Sequence, residues 1–247
     1  MLNRTSERRP AEAQNSKQGW YEMNTSKIRL LLWGGCLGAI ILFAGDMLFY
    51  GEWGLARGWS HDYFLSMMAK VAPWRLHLGS ITGPVGVGFV LLGMLGLWFC
   101  CRTAAPRLAA LMLALFYVGL LFLLLQHGIY GPMGFAIRFC GGSSDAVAQI
   151  LKLEHILLTP VTPVWYVGAA IWIFLTLWKK ASVPRWTILL CPLLITGRLE
   201  FALVYVPAPL GLPLYDGWGN IVDMIWFAVL ALTYKGLEIK SGIAESA

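Results

Sequence analysis

Six stretches of this chain are long and apolar enough to cross a bilayer, and they leave few alternatives for its fold. They cover residues 30–50, 78–100, 108–126, 161–178, 186–206 and 221–240. A hydrocarbon layer of about 30 Å takes about 20 residues of helix at about 1.5 Å each. Inside lipid each backbone N–H and C=O must find a partner within the protein, so runs of this kind are expected to be α-helices. The expected fold is therefore all-α, an integral membrane bundle of six transmembrane helices. Composition points the same way. Only 13% of the 247 residues are charged, about half the share in a soluble domain.

The polar remainder sets the domain plan. Residues 1–27 hold Arg4, Arg8, Arg9 and Lys17 among Ser, Asn, Gln and Glu, and read as a disordered basic cytoplasmic tail. Residues 28–240 form the transmembrane domain, and residues 241–247 a second cytoplasmic tail. No small-residue cleavage site follows the first apolar run, so it reads as a retained anchor. Arg102 and Arg107 separate runs two and three, and Lys179, Lys180 and Arg185 separate runs four and five. Together with the basic N-terminal tail and Lys235 and Lys240, they place both termini on the cytoplasmic side of a cell (plasma or inner) membrane. The opposite connections are longer, and Glu52, Asp62, Asp145, Glu154 and Asp216 offset their basic residues. Trp33, Trp98, Trp178 and Trp186 near the inner ends and Trp53, Trp74, Trp165 and Trp218 near the outer ends make two aromatic belts. Residues 62–71 and 144–158 have helical spacing; they are either short helices on the outer surface or outward extensions of runs two and four.

The formal net charge of +6 does not imply nucleic acid. The cations flank membrane runs, where they set orientation and meet anionic headgroups. No Gly-rich phosphate loop precedes a Lys, which argues against ATP use. The expected partners are membrane lipids, a hydrophobic small-molecule ligand and, as a homo-oligomer, a second copy of the chain. Cys140 alone of the five cysteines falls on the outer side, so no intrachain disulfide is expected there.

Ionisable groups inside a bilayer are costly and need a reason. Counted along each run, they gather in one layer in the outer half. Asp46 lies near the outer end of run one, His77 opens run two, and His127 closes run three. Glu154 and His155 precede run four, Arg198 and Glu200 fall in the outer half of run five, and Asp216, Asn220 and Asp223 stand at the start of run six. The candidate site residues are Asp46, His77, His127, His155, Arg198 and Asp223. Two chemistries fit them. His77, His127 and His155 with a carboxylate make a zinc set with one open position; without metal, the same groups serve as acid and base. The structural readings are equally specific. A histidine at a span end sits at the wet interface. Asn220-x-x-Asp223 has the form of a helix capping box. Arg198 at that depth calls for a carboxylate, with Asp46 or Asp223 favoured, and this pair is either a clamp between helices or part of a site.

Glycine and proline crowd the same side, as Gly83-Pro84, Gly128 to Pro132, Pro160 to Pro163 and Pro207 to Pro213. They imply either a pocket open to the outer leaflet or kinks that serve packing. Gly34, Gly35, Gly38, Gly93 and Gly96 have the spacing of a tight helix–helix contact.

The run Gly45-Asp46-Met47-Leu48-Phe49-Tyr50-Gly51, with Tyr215-Asp216-Gly217-Trp218, resembles small multi-pass bacterial membrane proteins of uncharacterised families. The set of three His and an Asp at one depth is similar in residue type to the alkaline ceramidases, intramembrane hydrolases that hold zinc with such a set. The chain departs from them in having six runs rather than seven, no two histidines on one helix and no matching serine motif. The sterol isomerases, with acidic and His residues facing a lipid cavity, offer a third likeness. These resemblances imply an intramembrane hydrolase or isomerase acting on a lipid-like substrate. The contrasting expectation is a non-enzymatic lipid- or small-molecule-binding or assembly protein with structural polar residues. Transport is disfavoured, because the inner half offers no polar track.

Overall fold

A computed structural model describes residues 24–50, 61–141, 145–178, 180–203, 205–207 and 210–235. The tail of residues 1–23, Glu52, Trp53 and Arg57 in the first connection, Lys179, Lys240 and the tail of residues 241–247 lie outside the described residues, as do the side chains of Asp62, Arg198, Glu200 and Asp216. Every regular element among the described residues is helical. They are α1 (Thr25–Tyr50), α2 (His61–Lys70), α3 (Pro73–Cys101), α4 (Pro106–Cys140), α5 (Asp145–Leu158), α6 (Val161–Leu177), α7 (Pro192–Leu203), α8 (Gly211–Asp216) and α9 (Trp218–Thr233), with a 3₁₀ turn, Arg185–Leu190, ahead of α7.

Local chemistry fixes several boundaries. Asn24 Oδ1 accepts the Ser26 N–H at 3.1 Å and starts α1. Pro73 and Pro106 open α3 and α4, where their missing N–H costs nothing. Gly141, at φ 83°, ends α4 in a backbone conformation that L side chains rarely adopt.

Four helical stretches are long and apolar enough to cross a membrane: Thr25–Phe49, Pro73–Cys101, Pro106–Cys140 and Asp145–Leu177. Helix α9 is apolar but only 16 residues long. The expectation of six continuous spans is corrected at the fifth, 186–206. There the chain makes the 3₁₀ turn, passes through extended backbone at Cys191, and restarts as α7 at Pro192. Pro192 has no N–H to continue a helix, and a proline disfavours helical backbone in the residue before it. The third span is also longer than expected. Helix α4 does not stop at Gln126 but runs 35 residues, through Pro132, to Cys140. The stretch 144–158 is largely α5, which joins α6 through a brief break at Thr159-Pro160 into a single long apolar stretch.

The helices are turned inside out relative to a soluble bundle. On α3 the exposed large apolar side chains are Trp74, Leu78, Ile81, Val85 and Leu92, whereas Gly79, Gly83, Gly86, Val90 and Gly93 are buried. A continuous stripe of large exposed apolar groups suits lipid and not water. The glycines let backbones touch. A Cβ built on Gly35 would stand 2.8 Å from the Gly93 Cα, and one on Gly38 would stand 2.6 Å from the Gly86 carbonyl oxygen. The small residues expected to pack α1 against α3 do so. The Gly-Pro pairs of α3 and α4 also serve packing: a Cβ at Gly83 would meet His127, and one at Gly131 would meet Ser80.

At one end of the bundle the start of α1, the end of α3, the connection after α6 and the end of α9 meet. The Ser182 N–H donates to the Cys100 carbonyl at 2.8 Å, and Arg29 donates to the Tyr234 carbonyl at 2.9 Å. Exposed Trp33, Trp178 and Trp186 lie toward this end and exposed Trp74 at the other. Trp98, Trp165 and Trp218 are partly buried, and Trp165 packs edge-on against Phe116 at 4.9 Å.

Candidate functional site

The polar layer expected from the sequence resolves into two small networks and a cavity at the opposite end of the bundle, where α1 finishes. Asp46 is its centre. It is 8% exposed and sits one turn before the end of α1. Its Oδ2 accepts the Asn220 side-chain N–H from α9 at 2.6 Å, and its Oδ1 lies 3.7 Å from His127 Nε2 on α4. His127 Nδ1 is 3.0 Å from the Leu123 carbonyl one turn earlier. A carbonyl only accepts, so this contact assigns the Nδ1 proton and turns Nε2 toward Asp46. The bare backbone of Gly83 makes room for the imidazole. Arg75 Nη2 donates to the Met47 carbonyl at 2.8 Å, which satisfies an orphan acceptor in the last turn of α1.

The second network joins α4 to α5. Gln126 is 3% exposed, and its Nε2 donates to Tyr130 at 2.6 Å and to Glu154 at 2.8 Å. The Tyr130 hydroxyl also approaches Glu154, at 3.4 Å, while the Tyr130 ring stands edge-on to His127 with centroids 5.8 Å apart. Across the same face Arg138 donates to the Val71 carbonyl at 2.7 Å.

Asp223 stands one turn beyond Asn220 on α9. Its Oδ1 is buried and has no hydrogen-bond partner among the described residues. The capping role expected for the Asn220 to Asp223 motif is corrected: Gly217 precedes the helix and no side chain caps it, so α9 begins before the motif. Asp223 and Asn220 line a cavity of about 390 Å³ whose other walls include Leu42, Val90, Leu120, Trp165 and Leu193. Thr162, Tyr166 and Thr196 add hydroxyls and Trp165 an indole N–H, and no Lys, Arg or His is among the described residues that line it. Leu158, 38% exposed, stands on its rim.

The candidate residues therefore separate. Asp46 and His127 come together, and Asp223 lies beside them by way of Asn220. His77 is exposed on α3 and rests against the Phe135 ring at 4.6 Å. His155 is exposed on α5, and its carbonyl accepts the Thr159 hydroxyl at 2.7 Å. Among the described residues no three His, Cys, Asp or Glu side chains are grouped to hold a metal ion, so His77, His127 and His155 do not form the expected zinc set. Arg198 lies on α7; its expected ion pair falls outside the described side chains, and Asp46 is engaged by Asn220 and His127. Sequence reasoning missed the Gln126–Tyr130–Glu154 network. Its one visible signal was the Gln126 and Tyr130 spacing of four residues, which puts both on one helix face. What the cluster offers chemically follows from its members: a carboxyl group and an imidazole 3.7 Å apart, and beside them an apolar-walled, half-open cavity with a second carboxyl group at its polar end.

No curated protein and no solved structure matches the chain. A family model covers residues 23–236, which include every described residue, and the protein belongs to that family of unknown function (DUF6796).

Proposed function

We infer that the protein is a membrane-embedded binding protein that takes a hydrophobic small molecule from the surrounding lipid into the cavity between α1, α3, α4, α6, α7 and α9, with the end of α5 at its rim. The observation that carries this reading is the cavity itself. At about 390 Å³ it falls in the size range of small-molecule sites, and it combines apolar walls with a few convergent polar groups as such sites do. Six passes with both ends on the cytoplasmic face of a plasma or inner membrane complete the reading. The 3₁₀ turn of 6 residues and α7 of 12 residues together reach about 30 Å at about 2 and 1.5 Å per residue, enough to recross the bilayer. They lie between Ser182, at the Cys100 end, and Asn220, at the Asp46 end. The test is native mass spectrometry of protein extracted directly into nanodiscs. One bound small molecule per chain is expected, lost in Leu158→Trp, which narrows the rim; an empty wild-type chain sinks the reading.

A second reading is favoured by the Asp46–His127 pair, one hydrogen bond from the cavity through Asn220. In it the protein is a hydrolase or isomerase of the same lipid-like ligand, with Asp46 and His127 as acid and base. It predicts that incubation changes the mass of the bound molecule and that Asp46→Asn and His127→Gln stop the change without emptying the cavity. A molecule recovered unaltered from active-state wild type speaks for binding alone.

A further inference from the structure

The polar end of the cavity shows what kind of head group it is built to receive. Asn220 is the informative residue. Its amide nitrogen stands 2.6 Å from Asp46 Oδ2, and a carboxylate demands a donor there. Asp46 therefore fixes which way the amide faces, and leaves the Asn220 carbonyl oxygen, on the other arm of the amide, for the cavity that this residue lines. Asp223, one turn on, adds a carboxyl group whose buried Oδ1 has no hydrogen-bond partner among the described residues. Thr162, Thr196 and Tyr166 carry hydroxyls that adapt to either role. The groups fixed on α9 are thus acceptors, and one of them is a carboxyl in an apolar-walled, half-open cavity with no Lys, Arg or His among the described lining residues. An acidic group in such a place keeps its charge only beside a counter-charge with hydrogen atoms to give.

We propose that the cavity selects an amphiphilic amine: an apolar chain or ring system ending in a protonated primary or secondary ammonium group that donates to Asp223 and to the Asn220 carbonyl. A compact ammonium group with two or three N–H donors matches two acceptors on adjacent turns of one helix, and the apolar walls take the tail. Asp46 acts here as a positioning residue, through Asn220. This rests on the ligand-cavity reading above and narrows it to one class of molecule.

The test titrates the full chain in nanodiscs with dodecylamine, dodecanol, dodecanoate and dodecyltrimethylammonium, read by native mass spectrometry and by thermal unfolding. One equivalent of dodecylamine binds and raises the unfolding temperature. Dodecanol and the trimethylammonium compound, which lack either the charge or the N–H donors, bind roughly ten-fold more weakly or worse, and dodecanoate does not bind. Asp223→Asn, close to isosteric, weakens dodecylamine by roughly ten-fold or more, and Asp46→Asn weakens it by a smaller factor. Leu158→Trp lowers the occupancy of every ligand alike. Dodecanol as tight as dodecylamine, an Asp223→Asn chain that binds amine as well as wild type does, or uptake indifferent to Leu158→Trp overturns the proposal. Should Asp223→Asn fail to fold, the ranking of the four ligands on wild type decides. A neutral lipid found in the cavity, with no preference for amine, removes the head-group inference and leaves the cavity reading standing. A cavity that takes no molecule of any kind removes both.

Discussion

Along one flank of α1, Gly35 meets Gly93 and Gly38 meets Gly86, so closely that α1 and α3 touch backbone to backbone. On the other flank α9 and α6 meet at Trp226 and Trp172, whose ring centroids are 5.1 Å apart, and then part around an opening of about 390 Å³ lined by Asp223 and Asn220. The two flanks share one helix and one solvent, and they differ in what the sequence places between the helices. Glycine at every crossing point leaves nothing to rearrange and no room for a ligand, so that seam is scaffold. Beyond that aromatic contact the side chains of the other flank stop short of one another, with a broken helix behind them, and leave a space of small-molecule size. Burial follows the same division: half of the most apolar window of α3 is buried, against 17% for the stretch Asp145–Leu177. Asp46 stands on the helix that the two flanks share, and Asn220 links it to the looser side.

Substitutions that bring the two flanks closer in behaviour, or push them apart, test this contrast. The largest effect is expected at the seam. Gly38→Val puts methyl groups into the Gly86 carbonyl and the Val90 N–H, backbone that cannot move aside, and costs about 3 kcal/mol in equilibrium unfolding from detergent or bicelles. A smaller loss, about 2 kcal/mol, is expected for Gly83→Ala, whose Cβ would meet the His127 side chain. That variant should also shift the imidazole resonances of His127 by parting it from Asp46. Asp46→Asn weakens one charge-assisted hydrogen bond and the approach to His127, for about 1 kcal/mol in the same unfolding measurement. At the small end, Gly88 lies two residues from Gly86 on α3 with nothing within 4 Å of a built Cβ. Gly88→Ala should therefore leave stability unchanged or raise it by about 0.5 kcal/mol. Equal penalties at Gly38 and Gly88 would erase the distinction between the seam and the lipid-facing surface.

How far the sequence reached can be argued from the same residues. Apolar run length found α1, α3, α4 and the stretch through α6, because a bilayer sets that length independently of tertiary packing. It overreached at the fifth run, where hydropathy counts residues 186–206 as one span while Pro192 divides them; hydropathy is blind to a missing N–H. Depth counting placed Asp46, His127, Asn220 and Asp223 in one layer, and three of these now touch. It could not sort the layer sideways, since residues at equal depth can face different neighbours. His77 and His155 share that depth and are exposed, turned away from Asp46. The glycine spacing was legible because close approach needs small residues at a fixed period. The Gly and Pro clusters offered a pocket in the outer half as one of two readings, but not its walls, because which side chains surround a space is set by how the helices pack side by side.

The most direct test of the account is photolabelling in native membranes with an alkyl diazirine amine, followed by mapping of the labelled peptides. The account predicts label concentrated on α6 and α9 around Trp165, Tyr166 and Asn220, displaced by excess dodecylamine and reduced in Leu158→Trp. Label spread along the exposed stripe of α3, at Ile81, Val85 and Leu92, with no displacement by unlabelled amine, would contradict it and mark the cavity as ordinary packing space.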